Sequence, residues 1–433
     1  MKRILASEVS QFVGQTVNIQ GWVHRCRTLG QLMFVIVRDR TGLIQTVLEG
    51  DLAIKSELSN ECVVSMNGYV HADERAMGGV ELRVAEVEVL GHAERILPFE
   101  VNAPKSLAKE RLDTLLEHRA LSVRRLDVRA IFRVQAEIIA SFRDFLQQNG
   151  FTEIQTPKIV VSATEGGAEL FPIQYFEQPA FLAQSPQLYK QIMVGSGFER
   201  VFEVGKAYRA ENYNTARHIN EFVSLDYEMG FINDENDVIQ MEVELLNYLF
   251  ERIAYKCANE IEMLGATIPQ ITDIPKIKLH DAKAILAEHY GKEYPQEKDL
   301  DPEGERLLCK YAHEKYGVEL IYVTHYPRFL RPMYTMPDEE DSNLTRSFDL
   351  LFRGLEITTG GQRIHQYDKL VFEMQQRGID PTNFEFYLAA FRYGMPPHGG
   401  LAIGAERLTM QLLNLQNIRE ASLFPRDRTR LTP

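Results

Sequence analysis

Residues 208–231 of the chain read YRAENYNTARHINEFVSLDYEMGF, and this stretch decides the fold of the larger part of the molecule. Two strand-like segments flank a polar loop, which predicts an antiparallel pair. Arg209 and Glu211 are expected on one face of the first strand, because residues two apart point the same way. Arg217 and His218 lie in the loop. The return strand carries three carboxylates, which are Glu221, Asp226 and Glu228.

The sequence of this pair of strands supports two interpretations. An arginine beside carboxylates at a strand end can hold a phosphate while the acids orient ribose and amine groups. A salt-bridged hairpin would have the same composition. The segment alone leaves both readings open.

The surrounding sequence extends the pair into a sheet. Further strands such as 198–210 and 347–357 are too long and too close together for a βαβ order, so an antiparallel sheet flanked by helices fits better. Residues 151–160, FTEIQTPKIV, predict a strand that contains Pro157 at an edge or interface. A polar, helix-rich stretch at about 265–333 reads as an insertion. A helix is expected over 123–149, where apolar residues recur at helical spacing, namely Ile131, Val134, Ile138, Phe142 and Phe145.

The first hundred residues have a different pattern. Five short β-rich segments separated by turns predict a small closed barrel, of which the OB-fold is the commonest that binds nucleic acid. The domain boundaries expected are a barrel at 1–100, a hinge at 101–125 and a second domain at 126–433. Four arginines are expected on the barrel surface around Trp22 and Phe34, either as a nucleic-acid patch or as an ordinary solvated strand face. They are Arg25, Arg27, Arg38 and Arg40.

Composition sets limits on function. A net charge of −13 argues against a protein that coats nucleic acid nonspecifically, although local basic patches remain compatible with it. The four cysteines are too far apart for a zinc knuckle or a disulfide framework. No stretch is apolar enough for a signal peptide or a membrane span, so the expected compartment is the cytoplasm.

A third segment, residues 394–408, reads GMPPHGGLAIGAERL. Its glycines are expected to let a ligand approach the backbone, and they precede Arg407 at the start of a helix. In this order, the segments 151–160, 208–231 and 394–408 resemble the signature motifs of class II aminoacyl-tRNA synthetases. The resemblance spans essentially the whole chain and is closest to aspartyl-tRNA synthetases of the archaeal type, a form also present in some bacteria.

The resemblance implies an α+β protein. It would have an N-terminal OB-fold barrel that binds the anticodon and a class II catalytic domain, an antiparallel sheet flanked by helices. Its implied reaction is activation of L-aspartate with ATP to aspartyl-adenylate and transfer to tRNA(Asp). The Pro157 segment resembles the family's dimer motif and implies a homodimer.

The same resemblance assigns an ATP site. Arg209 would bind the α-phosphate and the amino acid carboxylate, Arg407 the γ-phosphate end, and Glu211 the adenine. Glu356 and Thr359 would hold Mg²⁺ with support from Asp349, and oxygen ligands beside phosphates suit this ion. Arg209, Arg407 and Glu356 would be the catalytic residues. The remaining ATP contacts would be Arg217, His218, Ile219, Gly404, Ala405 and Glu406.

Two segments between the motifs resemble an aspartate pocket. In SATEGGAELF, Glu165 would lie near the substrate amine; in SPQLYKQ, read as a pocket strand, Gln187 and Lys190 would face the ligand. Arg363 completes the set, together with Arg209 and Thr359. Lys190 and Arg363 would hold the side-chain carboxylate, because two buried cations need an anion and asparagine is neutral.

The barrel resembles an anticodon-binding domain. Phe34 would stack on a base and Gln45 would read a base edge, while arginines such as Arg27 hold the backbone. His24 occupies a position where enzymes restricted to tRNA(Asp) tend to carry tryptophan, and relatives that also charge tRNA(Asn) tend to carry histidine. Met77 lies near a second determinant and matches neither pattern. The hypothesis is therefore charging of both tRNAs, with an amidotransferase converting the mischarged product.

Three alternatives remain. An asparaginyl-tRNA synthetase shares the fold, but Lys190 speaks against it. A non-catalytic paralogue usually loses a signature arginine or the metal carboxylate, whereas Arg209, Arg407 and Glu356 are present. An amide-forming relative that makes free asparagine typically lacks the barrel.

Overall fold

A computed structural model of the protein describes residues 2–94, 96–102, 110–161, 169–271, 273–295 and 297–433. The chain divides into two compact units, residues 1–125 and 126–433. Among the described residues, no helix has both the length and the apolar character that a membrane span requires.

The first unit contains a closed five-stranded barrel. Its strands follow one another around the barrel in the order β1-β2-β3-β5-β4, and neighbours are antiparallel except for β3 and β5. The barrel predicted from the sequence is confirmed. The strands are β1 (Thr16–Leu29), β2 (Leu32–Arg38), β3 (Leu43–Glu49), β4 (Val63–Ala72) and β5 (Val80–Gly91); the helices are α1 (Asp51–Lys55), α2 (Leu112–Glu117) and α3 (Arg119–Ser122).

One of the four arginines expected on the barrel surface is buried instead. Arg38 is 2% exposed and forms a bidentate ion pair with Glu61, with bonds of 3.0 and 2.7 Å. Arg124 also donates to Glu61 and lies over the Trp22 ring. The prediction for Arg38 was wrong because a carboxylate distant in sequence compensates its charge, which local sequence does not reveal.

The second unit is built on an eight-stranded sheet in the order β12-β13-β14-β15-β16-β11-β10-β6, beside a three-stranded sheet in the order β7-β9-β8. Its strands are β6 (Thr152–Glu153), β7 (Ile159–Val160), β8 (Pro172–Tyr175), β9 (Gln178–Leu182), β10 (Arg200–Tyr208), β11 (Glu221–Gly230), β12 (Lys276–Lys278), β13 (Leu320–Thr324), β14 (Ser347–Phe352), β15 (Leu355–Arg363) and β16 (His398–Gly404). Its helices are α4 (Leu126–Gln148), α5 (Gln187–Met193), α6 (Glu235–Lys256), α7 (Ala258–Leu264), α8 (Leu279–Tyr290), α9 (Pro302–Tyr316), α10 (Tyr367–Gln376), α11 (Glu385–Arg392) and α12 (Ala405–Leu412).

Three details of this unit differ from the sequence reading. The sheet is antiparallel in its centre, but β12 runs parallel to β13 and β6 parallel to β10 at its edges. The stretch 265–333 supplies β12 and β13 as well as helices. Pro157 lies between β6 and β7 rather than within a strand, where the neighbouring Thr156 backbone N–H bonds the Glu203 side chain instead of a strand ladder.

One face of the sheet is covered by helices. The apolar stripe of α4 is buried as predicted and packs with α6 and α12. On β11 the odd-numbered residues Leu225, Tyr227 and Met229 join this core. The even-numbered side chains of β11 therefore point to the other face of the sheet.

Two glycines of β16, Gly399 and Gly400, serve close strand packing. A Cβ atom on Gly400 would lie 2.1 Å from the Tyr227 carbonyl oxygen and 2.3 Å from Glu228 Oε2. The expectation that these glycines admit a ligand to the backbone is therefore corrected for Gly400. Gly404, where a Cβ atom would meet only the Arg407 side chain at 3.5 Å or more, lines the open cavity.

Candidate active site

A cavity of 880 Å³ lies on the sheet face opposite α4 and α6. Alternate residues of β11 line it, namely Phe222, Ser224 and Asp226, as the period of two requires. Strands β15 and β16 and the loop after β10 supply further lining residues. Phe222 was missed in the sequence, although its alternation with Asp226 and Glu228 was a usable signal.

Three arginines gather at one end of this cavity. Arg209, Arg217 and Arg407 all line it. Between them lies His218, whose pKa is lowered to about 4 by burial and then by the charges of Arg407, Arg217 and Arg209. The imidazole is therefore neutral at pH 7. The cluster presents a strongly cationic surface suited to a polyphosphate.

The arginine and acid expected on one strand face lie just beyond the strand. β10 ends at Tyr208, so Arg209 and Glu211 belong to the loop, and the strand prediction was wrong for both. The Arg209 guanidinium lies 5.5 Å over the Phe222 ring and 3.9 Å from the Glu211 carboxylate. Asn220 holds this turn by donating to the carbonyl oxygens of Arg209 and Glu211.

The C-terminal segment fixes the loop that carries Arg217. The Ile418 N–H donates to the Ala216 carbonyl at 2.9 Å, and the Asn220 N–H donates to the Arg426 carbonyl at 2.7 Å. The Arg419 side chain bonds Asn214 and is itself held by an ion pair with Asp427. No sequence motif predicted these contacts between the C-terminal segment and the loop.

Helix α12 brings Arg407 to the cavity in its first turn, as predicted. Its Nη1 donates to the Glu356 carbonyl at 3.0 Å and lies 3.4 Å from the Glu356 carboxylate. Both oxygens of Glu406 accept the Val223 N–H, and burial raises the pKa of Glu406 to about 7. Glu406 therefore holds the backbone of β11; it also lines the cavity, and its contact with ATP stays a prediction. The other residues expected to contact ATP differ in position. Gly404 and Ile219 line the cavity, whereas Ala405 is fully buried in the core.

A β-bulge brings the two expected metal ligands to one face. Residues three apart on a regular strand point to opposite faces. On β15, however, Glu356 pairs with Leu351 and Thr358 pairs with Leu350, so that Ile357 is an extra residue. Glu356 and Thr359 consequently both line the cavity.

The oxygen donors at this bulge fit a magnesium ion. Glu356 offers a partly exposed carboxylate, and Thr359 offers a hydroxyl that also accepts from Arg331 at 3.1 Å. Asp349 pairs with the same arginine at 2.6 Å. No group of three or more acid, histidine or cysteine side chains is arranged for a metal in the described ranges. One carboxylate and one hydroxyl suit Mg²⁺, which takes its remaining ligands from phosphates and water.

Lys190 lies behind the cavity wall, next to Asp226. It belongs to helix α5, not to a strand, and is fully buried. Its Nζ lies 2.9 Å from Asp226 Oδ1 and 3.4 Å from Glu228 Oε2. Its charge is thus paired with carboxylates of the chain itself, and its contact with a ligand stays a prediction.

Arg363 and Gln187 do reach the cavity. Arg363 donates to Glu228 at 3.0 Å and to the Gly400 carbonyl at 3.0 Å, while Gln187 donates to Glu228 at 3.1 Å. Burial favours protonation of Glu228, but Arg363 and Lys190 outweigh it and hold its pKa below the usual range. The two cations already face two carboxylates, so the argument from uncompensated cations was wrong. Glu165 lies outside the described residues.

The barrel carries its own candidate surface. Cross-strand pairing sets Arg27 beside Phe34 and Phe34 beside Val47 on the outer face. Gln45 bonds Glu81 at 3.2 Å, and Met77 is exposed in the short turn between β4 and β5.

His24 is the extra residue of a bulge in β1 and lines a second cavity, of 420 Å³. Its Nδ1 lies 2.9 Å from Arg38 Nη1. Arginine can only donate, so Nδ1 accepts and the ring proton resides on Nε2. The ion pair of Arg38 with Glu61 thus fixes one tautomer of this histidine.

Family models match both units of the chain. Residues 111–428 match the tRNA synthetases class II (D, K and N), and residues 17–90 match the OB-fold nucleic acid binding domain. The chain is 49% identical to the aspartate–tRNA(Asp/Asn) ligase of Thermus thermophilus over the whole of both proteins. It is 50% identical to that of Deinococcus radiodurans over 100% of this chain and 99% of the relative. It is 44% identical to the aspartate–tRNA(Asp) ligase of Thermococcus kodakarensis over 99% of each.

Solved structures agree over the full length. The asparaginyl-tRNA synthetase of Pyrococcus horikoshii with asparaginyl-adenylate superposes with a TM-score of 0.93 at 32% identity, covering 100% of each chain. The aspartyl tRNA synthetase of Entamoeba histolytica gives 0.89 at 31% identity, covering 100% of this chain and 93% of the other.

Replacing Lys190 by methionine tests the buried charge cluster. We expect the free energy of unfolding to fall by about 3–5 kcal/mol, because Asp226 is left buried without its cation. Lys206→Met is the control, since Lys206 on β10 is 43% exposed and its ion pair faces water. Urea unfolding measures both; equal stability of the two variants would contradict the assignment.

Proposed function

Because the chain belongs to the class II tRNA synthetases (D, K and N) and is an aspartate–tRNA ligase, we propose that Arg209, Arg407 and Glu356 carry its first step, the activation of L-aspartate with ATP. The observation that carries this assignment is the gathering of Arg209, Arg217 and Arg407 in one cavity around a neutral His218. ATP, aspartate and tRNA are the substrates of this family's reaction.

The first step needs positioning more than proton transfer. An oxygen of the aspartate α-carboxylate attacks the α-phosphorus, and pyrophosphate leaves with the electrons of the broken P–O bond. Arg209 holds the α-phosphate and the attacking carboxylate. Arg407 and Arg217 hold the outer phosphates, and Glu211 meets the adenine beside Phe222. A terminal ribose hydroxyl of the tRNA then displaces AMP from the adenylate.

Mg²⁺ is the implied metal, and Glu356 and Thr359 are the residues that would hold it. When bound, it neutralises phosphate charge. The bulge at Ile357 supports the assignment, because it turns both oxygens toward the cavity.

The aspartate side chain is recognised by Arg363 and Gln187. Lys190 acts from behind, since it fixes Asp226 and Glu228 and thereby the two residues that reach the cavity. Asp226 Oδ2 has no hydrogen-bond partner within the described ranges, and this buried acceptor suits the substrate ammonium. Glu165 is proposed as a further contact of the ammonium.

Amino-acid-dependent ATP–pyrophosphate exchange tests this site. We expect exchange with aspartate and not with asparagine. Arg363→Gln should raise the KM for aspartate about 10- to 100-fold and leave the KM for ATP unchanged, because a charge-assisted hydrogen bond contributes about 1.5–3 kcal/mol. Arg392→Gln, an exposed arginine on α11, is the control. Exchange with asparagine alone would overturn the aspartate assignment.

The barrel reads the anticodon, and we propose that it accepts both tRNA(Asp) and tRNA(Asn). Phe34 stacks on a base, Gln45 reads a base edge, and Arg27 contacts the backbone. Relatives about half identical to the chain carry the name aspartate–tRNA(Asp/Asn) ligase. The tautomer of His24 supports the same reading. The two anticodons differ by cytosine against uracil, and a single N–H donor can bond the O2 carbonyl that both bases carry.

Charging of pure tRNA transcripts tests the dual specificity. Wild type should aspartylate both tRNAs. His24→Trp should lower charging of tRNA(Asn) at least about tenfold relative to tRNA(Asp), because the ring that accepts from Arg38 is lost and the cavity is filled. Leu29→Trp, at the exposed end of the same strand, is the control for bulk. Absence of aspartyl-tRNA(Asn) with wild type would refute the proposal.

Dual charging would require a further reaction. Aspartate on tRNA(Asn) must be amidated before use, so a functional link to an amidotransferase is proposed. The proposed compartment of both reactions is the cytoplasm.

We also propose that the protein is a homodimer. Exposed apolar side chains cluster around the three-stranded sheet that follows Pro157, namely Ile159, Val161, Tyr175 and Phe176. An apolar patch of this kind marks an interaction surface.

Light scattering tests the dimer. The wild-type mass should be twice 49.7 kDa, and Val161→Asp should shift it toward the monomer. Leu431→Asp, in the exposed C-terminal tail, is the matched control and should stay dimeric. A monomeric wild type at micromolar concentration would exclude the dimer.

A further inference from the structure

Helix α9 sends one buried carboxylate to the active site. Glu305 Oε2 accepts a hydrogen bond from Arg217 Nη2 and, at 3.1 Å, a second from the backbone N–H of Glu356. Glu305 is 9% exposed. One carboxylate therefore touches both the loop that carries Arg217 and the strand that carries the proposed metal ligand.

The contact with Glu305 uses only one of the three guanidinium nitrogens of Arg217. Its Nε and Nη1 are buried and have no hydrogen-bond partner in the part of the chain that the structure describes. Buried N–H groups without acceptors are unfavourable, and a guanidinium prefers the oxygens of phosphate or carboxylate. Because Arg217 lines the cavity, a polyphosphate bound there can supply the missing acceptors.

The position of Arg217 in the chain explains why it needs support. Residues 212–216, which precede it, are all exposed. The C-terminal segment holds the backbone of this loop, but the long Arg217 side chain still has several rotamers, and ordering it during binding would weaken affinity for the ligand. Glu305 lies on a fifteen-residue helix with an Asp301 N-cap, so its carboxylate is presented from a rigid element.

We propose that Glu305 is a positioning residue for ATP. It holds Arg217 over the cavity before ATP binds and ties that arginine to the strand that carries Glu356. This inference rests on the proposed ATP site. Glu305 does not touch the substrate; it acts through Arg217.

Glu305→Gln tests the inference in aspartate-dependent ATP–pyrophosphate exchange. Glutamine keeps the shape and one acceptor for the Glu356 N–H, but it loses the charge that holds Arg217. The KM for ATP should rise about tenfold, equivalent to about 1.4 kcal/mol, with kcat within about twofold and the KM for aspartate unchanged. Glu314→Gln on the exposed side of α9 is the matched control and should resemble wild type.

A double-mutant cycle distinguishes positioning from a general structural role. Arg217→Ala alone should raise the KM for ATP, and adding Glu305→Gln should then have no further effect. Additive effects, an unchanged KM in Glu305→Gln, or a lower KM, which would mean competition with ATP, each overturn the proposal.

Two further measurements keep these outcomes interpretable. If Glu305→Gln unfolds, Glu305→Asp replaces it, and its KM for ATP should lie between those of wild type and Arg217→Ala; a value equal to wild type would count against positioning. Failure of wild type to exchange would instead remove the ATP site itself. The two failures are thus distinct.

Discussion

Four charged side chains that are shielded from water lie at the wall of the cavity, and the arrangement of the second unit depends on them. Lys190 and Arg363 face Asp226 and Glu228, and all four side chains are at most 8% exposed. Each group is tolerated only while its partners stay in place, because an unpaired buried charge costs several kcal/mol. The cluster therefore fixes α5, β11 and β15 relative to one another.

The surroundings of this cluster are matched to it. Gly400 leaves room for the Glu228 carboxylate where any side chain would collide. His398 Nδ1 donates to the Pro396 carbonyl and its Nε2 accepts from the Gln191 side-chain amide; burial lowers its pKa to about 4, so that it adds no third cation at neutral pH. The surroundings therefore leave room for the Glu228 carboxylate and add no further charge to the four-residue cluster.

Sequence reasoning reached the features that local pattern encodes. The periodicity from Ile131 to Phe145 predicted α4, and alternation predicted the barrel strands. It did not reveal the ion pairs that these residues form with partners distant in sequence: Arg38 with Glu61, and Lys190 with Asp226. Arg209, Arg217 and Arg407 were found from their motifs. Glu305 and Arg419 were not, because they act from segments whose local pattern is that of ordinary helix or tail.

The bulge in β15 has a consequence for how spacing encodes function. Successive side chains on a strand point to opposite faces. The extra residue Ile357 breaks this alternation, so that Glu356 and Thr359 point to the same face. A separation of three thus places both side chains in the cavity only because the bulge is present. Deleting one residue between them would remove the bulge and restore regular pairing. The two oxygens would then be two positions apart, which on a regular strand is also the same face. The backbone geometry of β15, and not only the identity of the two residues, therefore determines whether both oxygens reach the candidate metal site.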